Sequence, residues 1–466
     1  MKNYHKIMAI LLSLQLLWQG LVLAAPSYQI NNIRFSQTPA ATRIVFDCDK
    51  VPEYKINILN NGLRIVISFS NTVNLSKIKT VGLNDAAIKT ISVTESGGAT
   101  TAIIDLNYGV AYKVNSLKNP ERFYIDIIKG YEQKLQENIA PGVEHKTIIK
   151  SNEKGNITAH IIDIAPTANY KLKPILSNEM ITGLETVSSM SSRNKALAAI
   201  NASYFNKNGE ILGLTKIDGK IISATGLTRS AVGLLPDNKL LFGQIDYNGM
   251  VRLPNGKILA ITGINCERGE NGVVIYNKYY DSSTNTNEFG KEYILQDNKV
   301  IAINNNNSSL RDGQVVLSVH GTAMEQFNTV QVGDIIQINE SINEVWNKID
   351  NIVGVGPMLI KNNSIYISSK QEQFGSDVAG GKAPRTAIGL TKDNHILLVV
   401  VDGRQSHSAG MTLLELALFM QENGAVQALN FDGGGSSEMV INNNIINKPS
   451  DGKERKVTTA LAIVKK

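Results

Sequence analysis

Between residues 27 and 128 the chain alternates in short apolar runs. Residues 43–46, 54–59, 63–69, 88–93, 101–106 and 123–128 are each four to seven residues long, rich in β-branched and aromatic types and bounded by turn formers. Runs of that length and period put every second side chain on one face, which predicts an all-β, sandwich-like domain over residues 26–132. From residue 129 the alternation fades into GYEQKLQENIAPGVE, where Pro141-Gly142 acts as a breaker. Residues 133–143 therefore read as a linker.

The pattern changes again in residues 144–466. Strand-like runs such as 157–164 are joined by two helical segments. One runs from Thr182 to about Arg193, with Glu185 at capping-box spacing from Thr182; the other runs from Thr412 to Gln421, with Glu415 three residues on and Gly424 behind. Leu413, Leu416, Ala417 and Met420 share one face of the second. Each helix leads into an apolar strand ending in asparagine, Ala199-Ile200-Asn201 and Ala428-Leu429-Asn430, a pseudo-repeat that brings Asn201 and Asn430 to one edge. The expected fold class is α+β, an N-terminal all-β sandwich-like domain followed by a larger mixed α/β domain.

The stretch LNFDGGGSSEMV, residues 429–440, departs from both periods. Three consecutive glycines contribute no packing to a strand, so their use is a tight turn or a place where a ligand nears bare backbone. Unpaired amides of Gly433, Gly434 and Gly435, with the Ser436 and Ser437 hydroxyls, form an anion-binding concavity in that reading. The plainer alternative is a glycine-rich hairpin. Asp402-Gly403-Arg404 follows an apolar run at 396–401, and Arg385 precedes another at 387–390.

Composition narrows the classes. A chain of 466 residues with 42% hydrophobic and 19% charged residues is folded and long enough for two domains. Lys2 and Lys6 precede an apolar stretch ending in Val22-Leu23-Ala24, which reads as a signal peptide over residues 1–24; an uncleaved anchor is the alternative. Either form is exported, to the periplasm, cell envelope or extracellular space. Removing the segment lowers the net charge from +6 to +4, too mild to argue for nucleic acid. Cys48 and Cys266 make no disulfide framework, and the six histidines show no zinc-ligand spacing. No cofactor and no metal are expected.

From Pro384 to Gly389, through Asp402-Gly403-Arg404, Gly410 to Leu413 and Glu415 to Ala417, to Asn430 through Ser437, the chain resembles the phosphodiester glycosidase family. Weaker correspondence lies at residues 201–205, 263–268 and 354–359, and Ala202-Ser203 stand where the family more often has two glycines. Residues 43–47 and 118–127 resemble the AMIN domain, which implies attachment to envelope polymer. The first resemblance implies that residues 144–466 are catalytic and cleave a sugar-1-phosphodiester, such as a GlcNAc-1-phosphodiester, in envelope or extracellular glycans. Such a bond breaks through an oxocarbenium-like transition state, and negative charge grows on phosphate oxygens. Arginines and fixed N–H donors stabilise that charge, and a carboxylate steadies the sugar cation or activates water. The candidate carboxylates are Asp432, Asp402 and Glu415, the last with a complete structural reason as a capping residue. The candidate substrate-binding residues are Arg385, Arg404, Asn430, Gly433, Gly434, Gly435, Ser436, Ser437, Asn201 and Tyr204. The rival reading is a non-hydrolytic envelope protein that binds a phosphoglycan or peptidoglycan.

Overall fold

A computed structural model describes residues 28–153 and 155–466, so the expected export segment lies outside the described residues. The chain divides into two compact units, one reaching to Tyr131 and including Ser151–Gly155, the other formed by Glu132–Lys150 and Asn156–Lys466.

In the first unit, two five-stranded sheets enclose one core. The strands Ala41–Cys48 and Arg122–Ile128 pair in one sheet, Arg64–Phe69 and Ala99–Leu106 in the other, and all four bury every second residue. That is the alternation visible in the sequence. Phe46, Phe69 and Phe123 meet at the centre with ring centroids 5.2 to 5.8 Å apart, joining the two sheets.

The second unit is built mainly of strands. An eight-stranded sheet has Gly155–Ile164, Ile396–Val401, Arg385–Thr391 and Ala425–Asn430 as consecutive antiparallel neighbours. Along these strands Ile162, Ile388, Leu398 and Leu429 face a five-stranded sheet carrying Ala198–Asn201 and Thr459–Lys465. The intervening Ile161, Ala387, Leu397 and Ala428 face the opposite way, where Leu413, Leu416, Phe419 and Met420 of the helix Leu413–Glu422 cover them. A strand buried on both faces has no polar side to show, which is why Ile396–Val401 is an unbroken apolar run. The short helix Val187–Arg193 covers the outer face of the five-stranded sheet through Val187 and Met190. Residues 215–354 form further sheets of ten and three strands.

Three expectations change here. Over the described residues, strand accounts for 51% and helix for 9%, so the larger unit is a β structure with helices laid on it rather than an even mixture. The glycine- and asparagine-punctuated middle supplies strands interrupted only by short helical turns such as Thr322–Gln326 and Glu344–Asn347. Residues 133–143, read as a linker, run through the strand Tyr131–Ala140 into a turn and the strand Val143–Asn152 of the eight-stranded sheet. Tyr131–Ala140 is an edge strand with no buried residue, so it carries no apolar signal. The first helix starts at Val187, with Thr186 and not Thr182 as its cap. Glu185 is held extended by a bridge to Val457, and its carboxylate binds Arg193 at 2.8 Å.

Phe69→Ala removes the middle ring of the aromatic cluster. Truncating a fully buried phenylalanine costs about 3–5 kcal/mol, so the urea midpoint of the first unit is expected to fall; an unchanged midpoint contradicts this account of the core.

Candidate active site

Two strands from facing sheets end at one place. Ala198–Asn201 and Ala425–Asn430 each finish in a fully buried asparagine. Asn201 Nδ2 donates to the Asp432 carbonyl at 2.7 Å, while its Oδ1 accepts from the Thr386 hydroxyl at 2.7 Å and the Glu438 amide at 3.1 Å. Asn430 Nδ2 donates to the Tyr204 hydroxyl and the Phe431 carbonyl, both at 2.7 Å. The Tyr204 hydroxyl in turn lies 2.9 Å from the Gly356 carbonyl. These contacts fix the residues on either side of Asp432.

Asp432 itself is half-buried. Burial pushes its carboxyl up to about 6, against the Ser436 hydroxyl and Gly433 amide that bind its charged form. Tyr204, beside it, is held well above the ordinary tyrosine range by burial and by the Asp432 charge, so it stays a hydrogen-bond donor.

The arginine charge felt at this carboxyl is that of Arg455, which pairs with Asp451 at 2.6 Å; Arg385 and Arg404 line the glycine turn, and Arg229 acts on the neighbouring Tyr204. Arg385 is 2% exposed and forms no ion pair among the described residues. Its Nε donates to the Met411 carbonyl at 2.8 Å, Nη1 to Val378 at 2.9 Å and Nη2 to Gly381 at 3.1 Å. It therefore supplies an uncompensated buried charge and positions the 378–381 segment. Arg404 is exposed, and its guanidinium nitrogens lie 3.4 and 3.5 Å from where a Cβ on Gly434 would stand. Arg229 packs its guanidinium 3.8 Å from the Phe374 ring centre, and Phe374 lies 5.4 Å from the Tyr204 ring.

The glycines serve close approach more than anion binding. Gly434 has φ of 61° and donates its amide to the Pro384 carbonyl at 2.9 Å, while the Ser436 and Ser437 amides return to Gly433 and Gly434. The expected nest is thus largely closed on itself. A Cβ on Gly435 would fall 2.0 Å from Arg455, and one on Gly433 would fall 2.9 Å from the Pro384 carbonyl. Asn430 Oδ1 and the Ser437 hydroxyl are buried without a partner among the described residues.

Asp402 and Glu415 have other work. Asp402 is 2% exposed; its Oδ1 accepts from the Lys448 amide at 3.0 Å and Asn447 Nδ2 at 3.3 Å, and its Oδ2 meets His407 Nε2 at 2.8 Å. It reaches the serine turn only through Asn447, which donates to the Ser437 carbonyl. Glu415 closes a capping box with Thr412 and pairs with Lys382 at 3.2 Å. Burial would raise its pKa, but the Thr412 amide and Lys382 outweigh that and hold it below the usual glutamate value.

The phosphodiester glycosidase family model matches residues 256–464, and the AMIN domain model matches residues 32–107. The chain carries a phosphodiester glycosidase domain behind an AMIN domain. Mouse N-acetylglucosamine-1-phosphodiester alpha-N-acetylglucosaminidase is 33% identical over 153 residues, 30% of this chain and 29% of that protein. The bovine protein of the same name is 30% identical over 151 residues, 30% of this chain and 28% of that protein. The match thus spans less than a third of these curated relatives. A hypothetical protein from Synechocystis shares the fold with a TM-score of 0.66 at 21% identity, covering 94% of this chain and 80% of that one.

Within the phosphodiester glycosidase domain and the strands before it, sequence reasoning missed Arg229, Phe374 and Glu372. Arg229 opens the strand Arg229–Leu234 as Arg385 opens its own, so position at a strand start was a usable signal. Phe374 sits in a polar stretch with none. Its amide donates to the Ser369 carbonyl at 2.9 Å, and Glu372 two residues before it, 2% exposed, accepts from the Ser230 amide at 2.8 Å and the Ser230 hydroxyl at 2.6 Å.

The raised Asp432 pKa has a consequence for stability. Between about 6 and 3.8 the folded state binds a proton that the unfolded state does not, so folding gains stability as pH falls through that window and loses it above. Asp432→Asn is therefore expected to melt above wild type at pH 7, with the gap closing toward the lower bound. A gap independent of pH contradicts the raised pKa.

Proposed function

We propose that the protein is an exported hydrolase that cleaves the glycosidic bond of a sugar-1-phosphodiester in envelope or extracellular glycan, with Asp432 as the acting carboxyl. The supporting observation is a half-buried carboxyl pushed up to about 6 on a turn lined by Arg385 and Arg404, neither of which is ion-paired among the described residues. The departing group is a phosphate monoester, whose second pKa of about 6 makes strong protonation unnecessary. Arg404, exposed and beside Gly434, pairs with the phosphate, and the buried Arg385 charge adds to the same field without touching it. Asp432, ionised above its pKa, steadies the sugar cation or takes a proton from water. The Tyr204 hydroxyl and the Asn430 amide fix the backbone on either side. Asp402 and Glu415 are positioning residues in this reading. The AMIN domain supports attachment to envelope polymer, and with the N-terminal segment it supports export.

Asp432→Asn keeps the side-chain shape and removes its charge, so turnover of a defined sugar-1-phosphodiester is expected to vanish while the folded state persists. Glu415→Gln still completes the capping box and is expected to work near normally. The opposite pair of results in the same assay assigns the chemistry to Glu415.

Arg404→Ala loses a charge-assisted contact worth about 1.5–3 kcal/mol. kcat/KM for the phosphodiester is expected to fall about ten- to hundredfold, with a smaller loss on a neutral aryl glycoside. Equal losses on both substrates assign Arg404 a structural role.

A further inference from the structure

A cavity of about 470 Å³ lies in the larger unit and shares no lining residue with the group around Asp432. Its walls are polar and held fast. Glu210, 4% exposed, accepts from the Tyr280 hydroxyl at 3.0 Å and from Asn206 Nδ2 at 2.7 Å. Asn206 Oδ1 in turn accepts from the Glu210 and Asn208 amides at 3.0 and 2.9 Å, so this carboxylate cannot swing. Across the cavity, Arg268 donates through Nη1 to the Ser318 hydroxyl at 2.9 Å and through Nη2 to Asn287 Oδ1 at 2.7 Å. Ser318 is backed by the fully buried Glu292 at 3.1 Å. A Cβ on Gly290 would stand 2.2 Å from Arg268 Nη1, so the guanidinium occupies space that only glycine leaves.

The aromatic component is equally ordered. Tyr276 and Tyr280 meet with ring centres 4.8 Å apart, and the Tyr276 hydroxyl is tied to the Cys266 carbonyl at 2.6 Å. Phe289 is 67% exposed on the rim loop, two residues beyond Asn287, whose Oδ1 accepts its amide at 3.2 Å. The Phe289 ring is thus exposed on the loop that adjoins the lining residue Asn287.

Such a set suits the hydroxyl-rich edge and apolar face of a sugar ring. A fixed carboxylate accepts from paired hydroxyls, a guanidinium and amides donate to their oxygens, the Tyr276 and Tyr280 rings line an apolar wall, and the exposed Phe289 ring on the adjoining loop is available to the C–H face. Charge sets the class more narrowly. Glu210 and Glu267 line the cavity against the single cation Arg268, which disfavours phosphate or carboxylate groups, in contrast to the arginines along the glycine turn. We propose that this cavity is a glycan-binding subsite for a neutral sugar unit, separate from the site assigned to bond cleavage and independent of whether that site turns over.

Calorimetric titration of the full chain with chitotriose, cellotriose and maltotriose tests this. Saturable binding of at least one is expected, unaffected by inorganic phosphate and retained in Asp432→Asn. Phe289→Ala, which disturbs no buried contact, and Glu210→Gln, which keeps the side-chain shape, are each expected to weaken it about tenfold. The proposal is overturned if none of the three sugars binds, if both variants bind as wild type does, or if Asp432→Asn or phosphate abolishes binding.

Discussion

The larger unit depends on a single buried side chain, Asn201, and on the demand that each of its polar atoms be satisfied away from water. It stands at the end of a strand in one sheet, accepts from Thr386 in the facing sheet, and holds both the carbonyl of Asp432 and the amide of Glu438. Three otherwise unpaired buried groups converge on one amide. Leaving such groups without a partner costs about 1–3 kcal/mol each, so the two sheets and the glycine–serine turn are held in one register. The Asp432 amide adds a direct link, donating to the Ala202 carbonyl at 3.0 Å.

The electrostatics around Asp432 follow from that convergence. The turn can pass close to Pro384 and Arg455 only because glycines occupy it, and the same closeness removes water from the carboxyl and raises its pKa. Arg385 contributes charge from behind, its donors committed to the carbonyls of Met411, Val378 and Gly381. Arg229 packs over Phe374, whose amide donates to the Ser369 carbonyl and whose place no apolar pattern marks. The arrangement therefore separates groups that carry charge to the site from groups that hold the backbone around it. Asp402 and Glu415, carboxylates in the same stretch of sequence, belong to the second kind.

Much of this was legible in the sequence. Period-two alternation marked the strands of the first unit because each has one face in the core and one outside. The continuous run Ile396–Val401 marked a strand covered on both faces. Thr412 and Glu415 announced their capping box, and three glycines beside two serines announced a place of close approach, because only residues without a side chain tolerate carbonyls and guanidiniums at such distances. The family resemblance rested on those same residues.

Tertiary structure decided the rest. An exposed edge strand has the composition of a linker, so Tyr131–Ala140 was invisible until its pairing was seen. Whether a glycine turn offers its amides outward or spends them on its own neighbours depends on where Pro384 arrives from another strand. Which of three carboxylates is left free to act depends on partners 45 and 46 residues away for Asp402, and on Lys382 for Glu415. Those partners meet only in three dimensions: sequence records which groups a residue carries, and burial and the satisfaction of hydrogen bonds decide which of them remain available.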